Sequence, residues 1–211
     1  ASVTVPHGLR DSSGPLTPIE SFAVENLGLW GNRAVDGATS GHGINLTNTN
    51  SENVITRVLL RNVVIRECIQ DGLFMKASVG YVFDVRMDTV FLYRNVRNAL
   101  RCEDAVWQIA SDNLWVESSG EHQIYFSGDR SAGRGVTAVT INNAKISIGG
   151  SDYSGIYLAD ARAVRITNAW FEAIHGYQMT IESCSGVEVL GGFIEQKHYG
   201  GLDRARGILI K

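Results

Sequence analysis

From residue 21 onward, apolar positions alternate with polar or aromatic ones in short runs, and the same run keeps returning. In Asn113-Leu114-Trp115-Val116-Glu117, the two-residue period of extended backbone sends Leu114 and Val116 to one side and Trp115 and Glu117 to the other. The frame recurs as Asn26-Leu27-Gly28-Leu29-Trp30, Asn62-Val63-Val64-Ile65-Arg66, Thr89-Val90-Phe91-Leu92-Tyr93, Asn143-Ala144-Lys145-Ile146-Ser147, Asn168-Ala169-Trp170-Phe171-Glu172 and Gly191-Gly192-Phe193-Ile194-Glu195. A second pattern reads Gly43-Ile44-Asn45-Leu46, Gly72-Leu73-Phe74-Met75, Ala99-Leu100-Arg101-Cys102, Gln123-Ile124-Tyr125-Phe126, Gly155-Ile156-Tyr157-Leu158, Gln178-Met179-Thr180-Ile181 and Gly207-Ile208-Leu209-Ile210. Its first apolar positions are separated by 29, 27, 24, 32, 23 and 29 residues. Between the two lies a third apolar segment: Val58-Leu59-Leu60, Val82-Phe83-Asp84-Val85, Trp107-Gln108-Ile109, residues 136–141, Val164-Arg165-Ile166 and Val187-Glu188-Val189.

Three short strands repeating in fixed order predict an all-β solenoid, a single-stranded parallel β-helix of three-strand coils and about seven turns. Each strand should pair with its counterpart one turn away, at about 4.8 Å, so that inward side chains stack in columns. A β-sandwich also has many short strands but does not predict one ordered unit repeated along the chain. The Asn residues at positions 26, 62, 113, 143 and 168 precede the first pattern and suit a corner, where their amides tolerate left-handed dihedrals and reach neighbouring turns. Helical three-to-four spacing is never sustained, and all three prolines fall within residues 1–20, which read as an extended lead-in or linker before a β-helix domain over 21–211.

The bulk numbers narrow the partners. Nineteen Lys and Arg stand against twenty-two Asp and Glu, with no basic run, so a phosphate-neutralising surface for nucleic acid is not expected. No apolar run approaches the ~18 residues that would insert into a membrane. Cys68, Cys102 and Cys184 are widely spaced in apolar surroundings and read as buried thiols, neither a disulfide framework nor a metal knuckle.

Gly31-Asn32-Arg33 followed by Gly41-His42-Gly43-Ile44, with the repeated Gly-Ile-x-Leu and Asn-Val-x-Ile elements, resembles the right-handed parallel β-helices of the pectin-lyase-like superfamily. That superfamily includes polysaccharide lyases and hydrolases and bacteriophage tailspikes. The resemblance implies a right-handed coil, substrate lying along an outward face, and an extracellular or virion-associated setting. The superfamily's usual capping helix is not visible, and the apolar strand 207–210 would present an open edge. Both features suggest part of a longer protein, or association of copies; a homotrimer would be held instead through an apolar outward column.

Candidate chemistry lies on the outward side of the first pattern. One column reads Gly28, Val64, Phe91, Trp115, Lys145, Trp170, Phe193; the other reads Trp30, Arg66, Tyr93, Glu117, Ser147, Glu172, Glu195. Flat rings suit the C–H faces of sugars, and carboxylates accept from hydroxyls or act as acid and base. Trp30, Arg66, Phe91, Tyr93, Trp115, Lys145, Trp170 and Phe193 are therefore the expected substrate-binding residues, with His175 and His198 beside them. Glu117 and Glu172 fall two turns apart, about 9.6 Å, near the separation of an inverting glycosidase. Glu172 is then the proton donor, Glu117 the base, and Glu195 the neighbour that favours protonation of Glu172. Arg66 and Lys145 are available as lyase bases, but no Asp cluster accompanies them, and neither a metal nor another cofactor is expected. The expected function is a polysaccharide-processing or polysaccharide-binding β-helix. The alternative is a structural β-helix of a virion or adhesin whose aromatic face is buried between subunits.

Overall fold

The computed structural model describes residues 3–4, 21–31, 41–49, 54–129, 131–148, 153–195 and 206–211, and in it the three repeating segments stack as three sheets of a parallel β-solenoid. Every pairing between named strands is parallel; the single antiparallel bridge among the described residues joins Asp129 and Arg134. Sheet A carries the Gly-Ile-x-Leu segments. Its register runs Ile44, Leu73, Leu100, Ile124, Ile156, Met179, Ile208. Sheet B aligns Phe22, Val58, Val85, Ile109, Val139, Val164 and Val187. Sheet C carries the opening motif in the register read from the sequence.

Five turns, those starting at Ile44, Leu73, Leu100, Ile124 and Ile156, are covered by neighbours on both sides in all three sheets. The count is thus about five rather than the expected seven, because the rungs at either end are only partly covered. Of the sheet A column, Ile44 through Ile156 are fully buried and Met179 nearly so, whereas Ile208, on the last rung, is 49% exposed. Each fully buried Leu, Ile or Val contributes about 1.5–3 kcal/mol, so the core is a long rod of equal contributions rather than one central cluster.

The corners explain how strands as short as three residues form a rod. One residue per bend adopts a left-handed dihedral, so the chain turns without losing its hydrogen-bond ladder. Between sheets B and C these residues are Asn26, Asn62, Thr89, Asn113, Asn143 and Asn168, with φ of 53, 50, 56, 54, 51 and 52°. The Asn62 amide donates to Asn26 Oδ1 at 3.1 Å and that of Asn168 to Asn143 Oδ1 at 3.4 Å, as expected of a corner ladder; Asn143 turns to Asp112 Oδ1 instead, at 3.0 Å. Asp84 and Gln108 also take positive φ, so Val82-Phe83-Asp84-Val85 and Trp107-Gln108-Ile109 are bends, and the straight part of sheet B begins at Val85 and Ile109. The glycine of the Gly-Ile motif has a steric cause. A Cβ on Gly43 would lie 2.2 Å from Ile65 Cγ2 and 2.6 Å from the Gly72 carbonyl oxygen. Within the expected lead-in, Val3–Thr4 pairs with Ile44–Asn45 at the edge of sheet A; its remaining residues lie outside the described ones.

Candidate functional site on the outward face of sheet C

Because inward and outward positions alternate, burying Leu114 and Val116, Val90 and Leu92, or Ala169 and Phe171 forces their neighbours outward. Parallel in-register pairing then stacks those neighbours. Gly28, Val64, Phe91, Trp115, Lys145, Trp170 and Phe193 form one column, and Trp30, Arg66, Tyr93, Glu117, Ser147, Glu172 and Glu195 the other, without a slip. Trp30, Trp115, Trp170 and Phe193 are 55, 36, 40 and 60% exposed.

Cations lie between the rings. Arg66 places its guanidinium 4.5 Å from the Trp30 ring centre and 5.8 Å from that of Tyr93, and its Nη1 donates to Tyr93 Oη at 2.9 Å. Lys145 Nζ sits 4.6 Å from the Trp115 ring and 4.8 Å from the Trp170 ring. Phe91 and Trp115 pack tilted at 5.4 Å, and Trp170 and Phe193 edge to face at 6.3 Å. Trp115 Nε1 donates to Glu117 Oε2 at 3.1 Å, and Trp30 Nε1 donates to Glu67, a corner carboxylate that the column reading did not include.

Two features bear on acid and base chemistry. Glu172 Oε2 is 3.0 Å from Lys145 Nζ, so the carboxylate expected as proton donor sits in an ion pair. Ser147, the rung between Glu117 and Glu172, is buried although it belongs to the outward column. Glu195 pairs in register with Glu172, and His175 is half-buried at the corner past it; His198 lies outside the described residues.

Sheet A has an outward face too, which the sequence reading left unexplored. Its column runs Asn45, Phe74, Arg101, Tyr125, Tyr157, Thr180, and the same alternation applied to the Gly-Ile-x-Leu segments would have found it. Here the charges are half-buried and mutually paired. Asp71, fully buried, accepts from the Asn98 backbone and amide at 3.0 and 2.8 Å, and its Oδ2 faces His42 Nδ1 at 3.2 Å. Burial pushes the Asp71 carboxyl upward, but the close approach of His42, the hydrogen bonds from Asn98 and the nearby Arg101 outweigh it and hold the group below the usual carboxylate range. Glu103 is likewise raised by burial and lowered further by Arg101 and Lys76, the latter at 3.0 Å. Farther along, Tyr125 and Tyr157 stack at 5.2 Å with His122 against them, and burial drives His122 down to about 4. These contacts run from turn to turn, linking Asp71 with Asn98 and Lys76 with Glu103, and so hold neighbouring turns together. The exposed rings of sheet C are the better candidate for a ligand.

Compared with known proteins, the chain matches no family model, no curated protein and no solved structure. Geometry and chemistry therefore carry the functional argument.

Proposed function

We propose that the outward face of sheet C binds an extended polysaccharide lying along the solenoid axis. The observation that carries this reading is the set of exposed rings on one face, Trp115, Trp170 and Phe193 in register in one column and Trp30 in the neighbouring one, held by arginine, lysine and carboxylate neighbours. Folding alone gives no reason to keep large apolar rings half-exposed on a sheet whose inward face supplies the core. Sugar rings stack on such faces, and repeating rungs about 4.8 Å apart present repeating contacts to a repeating polymer. The carboxylates accept from hydroxyls in this role. The resemblance to pectin-lyase-like β-helices supports the same class of ligand and an extracellular or virion-associated setting.

Affinity electrophoresis of the chain through gels containing bacterial surface and plant polysaccharides tests the reading. Trp115→Ala and Trp170→Ala should each weaken retention about tenfold, in line with the loss of one stacked ring. Retention that neither change affects would overturn it, as would a sedimentation experiment in which both tryptophans protect a stable dimer or trimer that falls apart on substitution.

A further inference from the structure

The sheet C face is uneven. One hollow of about 210 Å³ is lined by Phe91, Tyr93, Arg94, Trp115 and Glu117. A second, about 300 Å³, is lined by Asn168, Ala169, Trp170, Gly192 and Phe193. Lys145 stands on the rung between Trp115 and Trp170 and so separates them.

We infer that the ligand of this face is an uncharged glycan whose sugar rings settle in the two hollows on either side of Lys145. The inference rests on the polysaccharide reading above and adds the charge class of the ligand. The second hollow has no ionisable side chain in its lining. The first has one cation and one anion, Arg94 and Glu117. The cations of the face are engaged from within. Lys145 Nζ is capped by two indoles and paired at 3.0 Å with Glu172; Arg66 is stacked on Trp30 and bonded to Tyr93; Arg94 Nη1 lies 3.8 Å from Glu67.

Four carboxylates share the face with these three cations: Glu67 beside Arg94, Glu117 on the Trp115 indole, Glu172 on Lys145, and Glu195 in register with Glu172. A sugar carboxylate arriving at Lys145 would have to displace Glu172 and would meet Glu117 and Glu195 on nearby rungs, so like charge opposes it. A cationic sugar would find Lys145 at the centre of its path. Hydroxyl groups meet neither penalty. Glu117, oriented through Oε2 by Trp115 Nε1, offers Oε1 to a hydroxyl above the rings of the first hollow.

The test compares retention of the full chain on neutral galactomannan, acidic polygalacturonate and cationic chitosan, each at low and high salt. Retention on the neutral polymer, changing less than about twofold with salt because no charge pair is formed, is the expected result. Preferential retention on polygalacturonate or chitosan, falling about tenfold or more with salt and still abolished by Trp115→Ala, would overturn the inference and leave the sheet C reading standing. Retention unaffected by Trp115→Ala and Phe193→Ala, or absent on all three polymers, would overturn both. Trp115→Phe, which keeps a ring, should restore most of the binding and separates loss of stacking from loss of fold.

Discussion

Ile148 sits at the corner after sheet C with φ of 48°, a left-handed dihedral that a β-branched side chain adopts only under strain. Equivalent corners use Glu67, Arg94, Ser118 and Ala173. Because Ile148 is 41% exposed and contributes little to the core, Ile148→Asn should relieve the strain and raise stability by about 1 kcal/mol, visible as a higher denaturation midpoint. An unchanged or lower midpoint would show that its side chain packs better than its exposure suggests. His122 and Asp71 set the response to acid. His122 stays neutral in the fold down to about 4, while an unfolded histidine takes its proton near 6.5, so only the unfolded chain gains a proton between those values. Stability should therefore fall as pH drops through that window, and His122→Gln should flatten the slope there. Asp71 acts lower. Its folded carboxyl is held below the unfolded value of about 3.9, so its contribution is present at neutral pH and is lost as pH falls below about 4. Asp71→Ala should cost about 1–3 kcal/mol at pH 7 by stranding Asn98, and the variant's acid transition should lack that last step.

At the level of strands, the rod stands on columns rather than on individual elements. Ile156 lies between Ile124 and Met179 in sheet A and has no exposed surface, so Ile156→Ala opens a cavity that rungs held 4.8 Å apart by backbone bonds cannot collapse into. The expected loss is about 2–5 kcal/mol, and a midpoint equal to that of wild type would remove the residue from the core. Alternation made this column readable in advance, because a period of two with one face buried leaves no other register. The bends of sheet B were less readable. Val82 and Val106 are apolar and fully buried like true strand positions, but Asp84 and Gln108 turn the chain before Val85 and Ile109, and although Asp tolerates a left-handed dihedral, Gln gives no such signal.

For the molecule as a whole, contacts run only from turn to turn, so stability should be distributed as in a one-dimensional array. Amide exchange is expected to be slowest in Leu73–Tyr93 and Leu100–Glu117, which have neighbours on both sides, and fastest in Ser185–Leu190, most of whose side chains are exposed. Uniform protection across the chain would contradict that picture and point to a single cooperative unit. The same one-dimensional order makes the sheet C face long and repeating, suited to a polymer more than to a small molecule.

Two-residue alternation and the recurrence of Gly-Ile-x-Leu and Asn-Leu-x-Val segments were enough, in the sequence by itself, to determine a parallel solenoid, its inward columns and the membership of both outward columns of sheet C. These follow from local rules, since burying one side of a strand dictates the other and pairing in register carries the rule from turn to turn. What each outward residue touches was decided only by the tertiary structure. Lys145 was legible as a column member, but its reach to Trp115, Trp170 and Glu172 depends on side-chain directions across three rungs, as does the covering of Ser147 between Glu117 and Glu172. Those contacts add to the row of carboxylates an ion pair at Glu172 and an indole donor at Glu117. They arise because a long flexible side chain chooses its partners in three dimensions, which no period along the chain records.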